Sequence, residues 1–215
     1  MSTQASDRRR PYRNDRRAKA AAGTRATILD AALRLFVEHG YAKVTIGDIA
    51  REAGIAVPTV YASTGGKAAI LATLMYRGVD DPVVERTLET VRTATDARMA
   101  IAATARGVRL DNERHLEIVQ VMVTAACVDQ RVQEELDEVV RRYRRSLGVL
   151  AGRLAELGAL KPGLSAERAG DMLWFLLGLP SWRLFITGCH WSWDETERWL
   201  THQVTAALLA QPTGD

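Results

Sequence analysis

The sequence predicts an all-α protein made of two helical domains, and three observations support this fold class. Apolar residues recur at intervals of three and four along most of the chain, which is the spacing of an amphipathic helix. No sustained alternation of apolar and polar residues bounded by turn residues is present, so no β-sheet is expected. Residues 45–67 have the pattern of two short helices joined by a glycine turn.

The first helix is predicted from about residue 24 to residue 39. Its inward face carries apolar residues at helical spacing: Ile28, Ala32, Leu35 and Phe36. Gly40 follows, and glycine commonly ends a helix because it adopts the left-handed conformation without strain. The preceding residues, 1–23, are predicted to form a basic, disordered arm.

A second, short helix is predicted to begin at Thr45. Thr45 followed three residues later by Asp48 is a capping box, in which the hydroxyl accepts a backbone N–H and the carboxylate reaches back to the N–H of Thr45. Gly54 then allows a sharp exit from the helix. Pro58 suits the first turn of a following helix, because a proline there loses no intrahelical hydrogen bond. The next helix is therefore predicted over residues 57–63.

This part of the chain resembles the DNA-binding domain of the tetracycline-repressor (TetR) family. The resemblance runs from about Arg25 to Leu74 and rests on an amphipathic first helix followed by an ordered set of residues: Thr45, Ile49, Ala50, Ala53, Gly54, Ile55, Thr59, Val60, Tyr61 and Lys67. It implies a three-helix helix-turn-helix domain over residues 24–79, followed by a helical ligand-binding and dimerisation domain over residues 80–215.

The resemblance makes residues 57–63 the recognition helix. Helical spacing places four residues on its outer face: Val57, Thr59, Tyr61 and Ala62. The resemblance also implies that Tyr61 and Lys67 touch phosphate and that Thr45 anchors the preceding helix to the DNA backbone. The full set of predicted DNA-binding residues is Arg25, Thr45, Val57, Pro58, Thr59, Tyr61, Ala62 and Lys67.

Two positions depart from the family pattern. Ala56 stands where the family usually has serine, and this removes a side-chain helix cap worth about 1 kcal/mol. Thr64 stands where phenylalanine is usual, and a buried phenylalanine would contribute roughly 1.5–3 kcal/mol. The packing of the fourth helix against the recognition helix depends on this second position.

Positive charge is concentrated at the N-terminus. The chain has a net charge of +3, yet residues 1–25 contain eight basic residues and two acidic ones, so the rest of the chain is net negative. A polyphosphate is the natural partner of such a segment. Two interpretations remain open: a solvated tail, or an arm that adds phosphate or minor-groove contacts as in other helix-turn-helix proteins.

The second domain is predicted to begin near Asp81-Pro82, because proline suits a first helical turn and disfavours helix in the residue before it. The fourth helix is predicted over residues 67–78. Further helices are predicted at about 82–93, 96–107, 112–128, 131–157, 166–187 and 194–210.

Residues 131–157 carry an apolar seam that predicts packing against another helix. The next helix opens at Ser165, and Gly158 and Pro162 make the connection short. The resemblance implies that these two helices form a four-helix dimer interface with their copies; an ordinary intrachain core is the alternative. The predicted interface residues are Tyr143, Leu147, Leu150, Leu154, Met172, Leu173 and Leu176.

Large aromatic side chains are concentrated late in the chain, where all five tryptophans follow residue 170. They can line an apolar cavity between helices, although tryptophan and methionine at helical spacing are more often core. Pro180 is predicted to kink its helix near Trp182 and to open space for a ligand. The predicted ligand-binding residues are Met99, Met122, Trp174, Phe175 and Trp182, with Arg106, His115 and Gln120 as candidate polar anchors or surface residues.

Catalysis, metal binding and membrane insertion find no support in the sequence. The histidines show no metal-ligand spacing, and no phosphate loop or nucleophile elbow is present. No stretch reaches the roughly 18–20 apolar residues of a membrane span. Cys127 and Cys189 suit neither a disulfide framework nor a zinc site, and the start of the chain lacks the apolar core of a signal peptide. A soluble, cytoplasmic protein without cofactor or metal is expected.

These features and the resemblance together predict a dimeric transcriptional regulator that binds a near-palindromic operator. A small hydrophobic effector is expected to release it from DNA, and repression is favoured over activation. The alternative from a different class is an all-helical small-molecule-binding or scaffold protein whose helix-turn-helix no longer binds DNA, since Ala56 and Thr64 depart from the family pattern.

Overall fold

The computed structural model describes residues 9–79 and 81–210, with side-chain detail for residues 16–76 and 81–210. Within these residues the regular structure is helical apart from one isolated bridge between Leu160 and Leu209, so the predicted all-α fold is confirmed. The α-helices are α1 (Arg9–His39), α2 (Ile46–Ala53), α3 (Val57–Thr64), α4 (Lys67–Val79), α5 (Pro82–Thr93), α6 (Ala97–Ala126), α7 (Gln130–Glu156), α8 (Ala166–Leu177), α9 (Leu179–Arg183) and α10 (Trp193–Leu208). A 3₁₀ turn covers Tyr41–Lys43 and a π-helical turn covers Leu184–Gly188.

The chain divides into two compact units whose boundaries differ from the predicted division at residues 79 and 80. The first unit takes the chain up to Leu74 together with Val121–Gln133, and the second takes Met75–Gln120 and Glu134–Asp215. The difference arises because α4, α6 and α7 each belong partly to one unit and partly to the other. Helical periodicity does not indicate with which unit a given turn of a long helix packs.

α1 begins earlier than the sequence predicted. The helix starts at Arg9, so residues 9–23 are helical and not part of a disordered arm, whereas residues 1–8 of that arm lie outside the described residues. The alanines at 18 and 20–22 favour helix, because alanine has the highest helix propensity.

The predicted helices 96–107 and 112–128 are one continuous helix, α6. Gly107 lies within this helix and permits a close approach of α5, because a Cβ at this position would lie 2.1 Å from Oγ1 of Thr87. The glycine therefore marks a contact between helices and does not end α6.

The predicted helix 166–187 is interrupted at Gly178. This residue has an extended backbone with φ −71° and ψ 164°, and Pro180 occupies the first turn of α9. A Cβ at Gly178 would lie 2.2 Å from the carbonyl oxygen of Trp174, so the break requires glycine. The proline thus begins a new helix where a kink was predicted, and Trp182 in that helix is completely buried.

The predicted dimer seam is largely intrachain core. Leu147, Leu150 and Leu154 of α7 and Leu173 of α8 are at most 2% exposed within a single chain. These residues pack with Val91, Ala100, Ile101, Ala105, Ala151, Ala169, Leu177, Trp182, Leu200, Val204, Leu208 and Leu209 in one hydrophobic cluster. Apolar spacing alone does not distinguish a seam that faces a partner from one that faces the same chain.

The other three predicted interface residues, Tyr143, Met172 and Leu176, are half-buried and pack against the same cluster. The Tyr143 hydroxyl donates a 2.9 Å hydrogen bond to the carbonyl oxygen of Leu177. This bond joins α7 to the end of α8 within the second unit.

Candidate DNA-binding surface and ligand cavity

α2 begins with the predicted capping box. The Thr45 hydroxyl accepts the backbone N–H of Asp48 at 3.1 Å, and the Asp48 carboxylate accepts the backbone N–H of Thr45 at 3.0 Å. The hydrogen bonds from the Thr45 side chain and backbone lower the pKa of Asp48 to about 2. Gly54 adopts the predicted left-handed conformation, with φ 68° and ψ 31°. The cap and this glycine fix where α2 begins and where the chain turns toward α3.

α3 buries one narrow side and presents the rest to solvent. Val60 and Thr64 are buried, and Val60 has no exposed surface. The five residues predicted to face DNA on this helix are all exposed: Val57, Pro58, Thr59, Tyr61 and Ala62. Tyr61 is 54% exposed. A short helix held by one apolar side and exposed on the other is suited to enter a DNA major groove.

The two departures from the family pattern have different structural consequences. Ala56 occupies the N-cap of α3. It makes no side-chain cap hydrogen bond, because a methyl group cannot accept one. Thr64 is buried, and its hydroxyl donates a 2.8 Å hydrogen bond to the carbonyl oxygen of Val60. The threonine therefore occupies the interior without leaving a buried polar group unpaired.

Arg25, a predicted DNA contact, is engaged inside the first unit. Its guanidinium donates to the carbonyl oxygen of Ser63 and, at 3.2 Å, to the hydroxyl of Thr73. These bonds connect α1 to the end of α3 and to α4. The geometry supports a role for Arg25 in positioning the recognition helix.

Lys67, the other predicted basic contact, is also partly engaged. Its Nζ donates a 2.9 Å hydrogen bond to the carbonyl oxygen of Tyr41 and lies 4.2 Å from the centroid of the Tyr41 ring. Partial burial lowers the pKa of Lys67. The Tyr41 hydroxyl in turn donates to the Asp129 carboxylate at 2.6 Å. Lys67, Tyr41 and Asp129 thus form a connected polar group within the first unit, which sequence reasoning did not anticipate.

The second unit contains a cavity of about 100 Å³ between α5, α6 and α7. Most of its wall is apolar and includes Val84, Leu88, Val91, Val108, Leu147 and Leu150. Polar side chains are concentrated on two helices: Asp111 and His115 on α6, and Arg142, Tyr143 and Ser146 on α7. An apolar cavity with a few convergent polar groups is the usual form of a small-molecule site.

His115 is the polar anchor considered in the sequence that reaches this cavity. Its Nδ1 lies 2.8 Å from the backbone oxygen of Asp111 and 3.0 Å from the Asp111 carboxylate. Arg106 is more exposed and pairs with Glu197 at 3.3 Å, and Gln120 is absent from the cavity wall. All three residues are polar and lie on α6, so the sequence does not distinguish them. The packing of the helices determines that His115 is the one that faces the cavity.

Residues 28–74, which include α2 and α3, match the family model of bacterial regulatory proteins of the tetR family. These residues are a DNA-binding domain of the TetR family. The chain is therefore a DNA-binding transcriptional regulator.

The chain is also similar to several known proteins. The fatty acid metabolism regulator protein of Bacillus subtilis (strain 168) is 28% identical over 152 residues, which cover 68% of this chain and 75% of the relative. The crystal structure of FadR from Bacillus subtilis with stearoyl-CoA has a TM-score of 0.70 at 18% identity, covering 84% of this chain and 97% of that one. The SmeT–triclosan complex has a TM-score of 0.72 at 22% identity, covering 90% and 95%. The two structures show that the fold is shared.

None of the five predicted ligand-binding residues lines the cavity. Met99 and Phe175 are 70% and 77% exposed, and Trp182 is completely buried in the core of the second unit. Met122 is buried and belongs to the first unit. Trp174 contacts one residue of the cavity wall, because its ring packs edge-on against Tyr143 with centroids 5.6 Å apart. The sequence analysis selected large aromatic and methionine side chains. The cavity is instead lined mainly by smaller, aliphatic side chains of α5, α6 and α7.

Metal binding and membrane insertion were also considered for the residues that the structure describes. Among them, no group of three or more histidine, cysteine, aspartate or glutamate side chains is arranged to hold a metal ion. Within the same described residues, no helix is long and apolar enough to cross a membrane.

Replacing Lys67 by alanine is expected to have two effects. Removing its charge beside the recognition helix should weaken binding to operator and random duplexes alike and reduce the salt slope by about one unit. Loss of the hydrogen bond to Tyr41 should lower the free energy of unfolding by about 1 kcal/mol. Fluorescence anisotropy over a salt series and urea unfolding measure these effects.

Lys43→Ala is the matched control for this experiment, because it removes an exposed lysine from the same unit. The control should leave stability nearly unchanged. Unaltered operator affinity of Lys67→Ala at fixed salt would place Lys67 outside the phosphate contacts.

Proposed function

We propose that this chain is a dimeric repressor that binds a near-palindromic operator through α3 and releases it when a compact, mostly apolar molecule occupies the cavity of the second unit. The observation that carries this proposal is the coexistence of an exposed recognition helix and a largely apolar cavity in one chain. The ligands named for the two related structures each have a large apolar part: the acyl chain of stearoyl-CoA and the chlorinated rings of triclosan. A cavity of about 100 Å³ favours a much smaller ligand than stearoyl-CoA.

α6 supports a route from ligand to DNA. Residues of this helix from Thr104 to Val119 contribute to the cavity wall, and the same helix continues into the first unit from Val121. Asp129, just beyond its end, accepts the Tyr41 hydroxyl. A ligand that favours a different position of α6 would therefore change the equilibrium between the DNA-binding and released states.

Dimerisation is proposed through α8 and α10. Much of the apolar side of α7 is buried in the intrachain core. Large apolar side chains are exposed instead on α8 and α10, where Phe175 is 77% and Trp199 is 38% exposed. Large exposed apolar side chains commonly mark an interface with another chain. A two-fold dimer places two recognition helices about 34 Å apart, which matches one turn of DNA.

Operator release by a ligand tests this proposal. The full-length protein is incubated with DNA from upstream of its own coding sequence, and compact lipophilic compounds are titrated while anisotropy and tryptophan fluorescence are recorded. Ligand binding and DNA release should occur over the same concentration range, with a coupling of about 1–3 kcal/mol that lowers DNA affinity roughly 5- to 150-fold.

Ser146→Leu identifies the site of action. The added side chain enters the cavity, so the variant should bind operator normally and lose its ligand response. Arg145→Leu places the same side chain on the neighbouring residue, where the arginine side chain is 64% exposed, and should respond like the unaltered protein. A full response by Ser146→Leu would place the effector site elsewhere. Failure of the unaltered protein to bind any upstream DNA would favour the scaffold alternative.

A further inference from the structure

The N-terminal part of α1 continues beyond the turns of the helix that pack against other elements. Every residue from 16 to 23 is exposed, whereas Ile28 has no exposed surface. Arg25 lies between them and donates hydrogen bonds to Ser63 of α3 and Thr73 of α4. Residues 16–23 therefore form an extension of α1 that is exposed to solvent on every side.

This extension is strongly basic. It carries three positive side chains, Arg16, Arg17 and Lys19, and no acidic one. All three are exposed, and no acidic side chain among the described residues pairs with them. Arg16 and Lys19 are three positions apart, so their like charges are neighbours on the helix surface and destabilise it slightly. Binding to a polyanion would remove this repulsion.

The composition of the basic extension indicates which polyanion it suits. Apart from the three basic residues it contains only alanine and glycine. A helix that binds an anionic membrane also needs large apolar side chains to enter the lipid, and the extension has none. It also lacks the aromatic side chains on which single-stranded bases stack. Positive charge alone suits the phosphate backbone of a DNA duplex.

The basic extension also begins close to the helix proposed to enter the DNA. Arg25 bonds to the backbone of Ser63, which lies in the last turn of α3. Arg16 precedes Arg25 on the same helix by a distance of about 13 Å along the axis. One turn of DNA is roughly 34 Å long, and a duplex presents a negative charge about every 1.7 Å of its axis. DNA bound at α3 would therefore present phosphates within reach of the extension.

We infer that the basic extension binds phosphates of the duplex that flanks each operator half-site, through Arg16, Arg17 and Lys19. This inference rests on the proposed function, because that proposal places DNA against α3. The contacts carry no sequence information, since phosphates are the same at every base pair. They increase the affinity for the operator and for any other duplex alike.

Removal of the three charges from the full-length protein tests the inference. Arg16→Gln/Arg17→Gln/Lys19→Gln should keep the helix, because glutamine has nearly the same helix propensity as arginine and lysine. Each phosphate contact contributes about 0.9 to the slope of log affinity against log salt, so a dimer that loses three contacts per chain should lose about 5 from this slope. Anisotropy over a salt series on a random duplex measures the slope and requires no operator.

Operator duplexes of two lengths test where the contacts lie. The short duplex ends at the outer edges of the two half-sites, as mapped by base substitution, and the long duplex adds one turn of random sequence on each side. At low salt the unaltered protein should bind the long duplex roughly 10-fold more tightly than the short one. The glutamine variant should bind both with equal affinity.

Two further variants are the controls. Arg86→Gln/Arg98→Gln/Arg183→Gln removes the same charge from exposed positions of the second unit and should change neither the salt slope nor the length dependence. Arg16→Lys/Arg17→Lys keeps the charges of the extension and should behave like the unaltered protein, since lysine also binds phosphate as a point charge.

Three results would overturn the inference. The first is an unchanged salt slope for the glutamine variant, and the second is equal binding of the two duplexes by the unaltered protein. The third is a gain from the flanks only when they are rich in A·T pairs, which would indicate minor-groove contacts. None of these results affects the proposed function while the protein still binds its operator and releases it with ligand.

Discussion

Tyr61→Glu is expected to abolish operator binding while the protein stays folded. Tyr61 is 54% exposed on α3, and the family resemblance implies that it contacts phosphate. A carboxylate at this position would face phosphates, and a like-charge contact costs several kcal/mol. Because a dimer carries the substitution twice, affinity should fall by roughly 100-fold or more. Anisotropy with operator DNA measures the loss, and circular dichroism should show unchanged helicity.

Val37→Glu is the control for this effect. Val37 is 41% exposed on α1, outside α2 and α3, and the substitution adds a negative charge to the same unit. It should weaken DNA binding far less than Tyr61→Glu does. Equal losses from the two substitutions would mean that net charge, and not the position of Tyr61, controls binding.

Trp182→Ala is expected to destabilise the protein by about 3–5 kcal/mol, the usual range for a buried tryptophan. The side chain is completely buried, and its ring stacks on Trp193 with centroids 5.8 Å apart. Since Trp182 does not line the cavity, intrinsic ligand affinity should change little in the folded fraction. Urea unfolding at fixed protein concentration measures the loss.

Trp182→Phe should be milder, because it keeps most of the ring volume. It also removes Nε1, a buried donor that has no hydrogen-bond partner among the residues that the structure describes. If Trp182→Ala instead kept its stability and lost only its ligand response, Trp182 would belong to a ligand site, as the sequence first suggested.

The starts of α2, α3 and α5 and the end of α2 were predictable because their causes are local. The cap at Thr45 and the prolines at positions 58 and 82 act on groups within a few residues along the chain. Gly54 adopts the left-handed conformation that its place in the turn requires. The exposed side of α3 was likewise predictable. Only a few positions of α3 are buried, and the family resemblance indicates which side of the helix is exposed.

The interruption at Gly178 and the continuity of α6 through Gly107 were not predictable from local signals. In each case the decisive atoms belong to other positions: the carbonyl oxygen of Trp174 beside Gly178, and the side chain of Thr87 beside Gly107. A glycine within an apolar helix has the same appearance in a sequence whether it ends the helix or admits a neighbour.

The sequence by itself determined the all-α class, the two short helices on either side of Gly54 and the exposed side of α3, because these follow from periodicity, caps and turns. Only the tertiary structure decided that Lys67 bonds to Tyr41, that Leu147 lies in the core, and that His115 reaches the cavity. The physical reason is that burial and hydrogen bonding depend on which helices pack together and on where along their axes they make contact. Helical spacing fixes the side of a helix on which a residue lies, and the packing of the other helices determines what that side contacts.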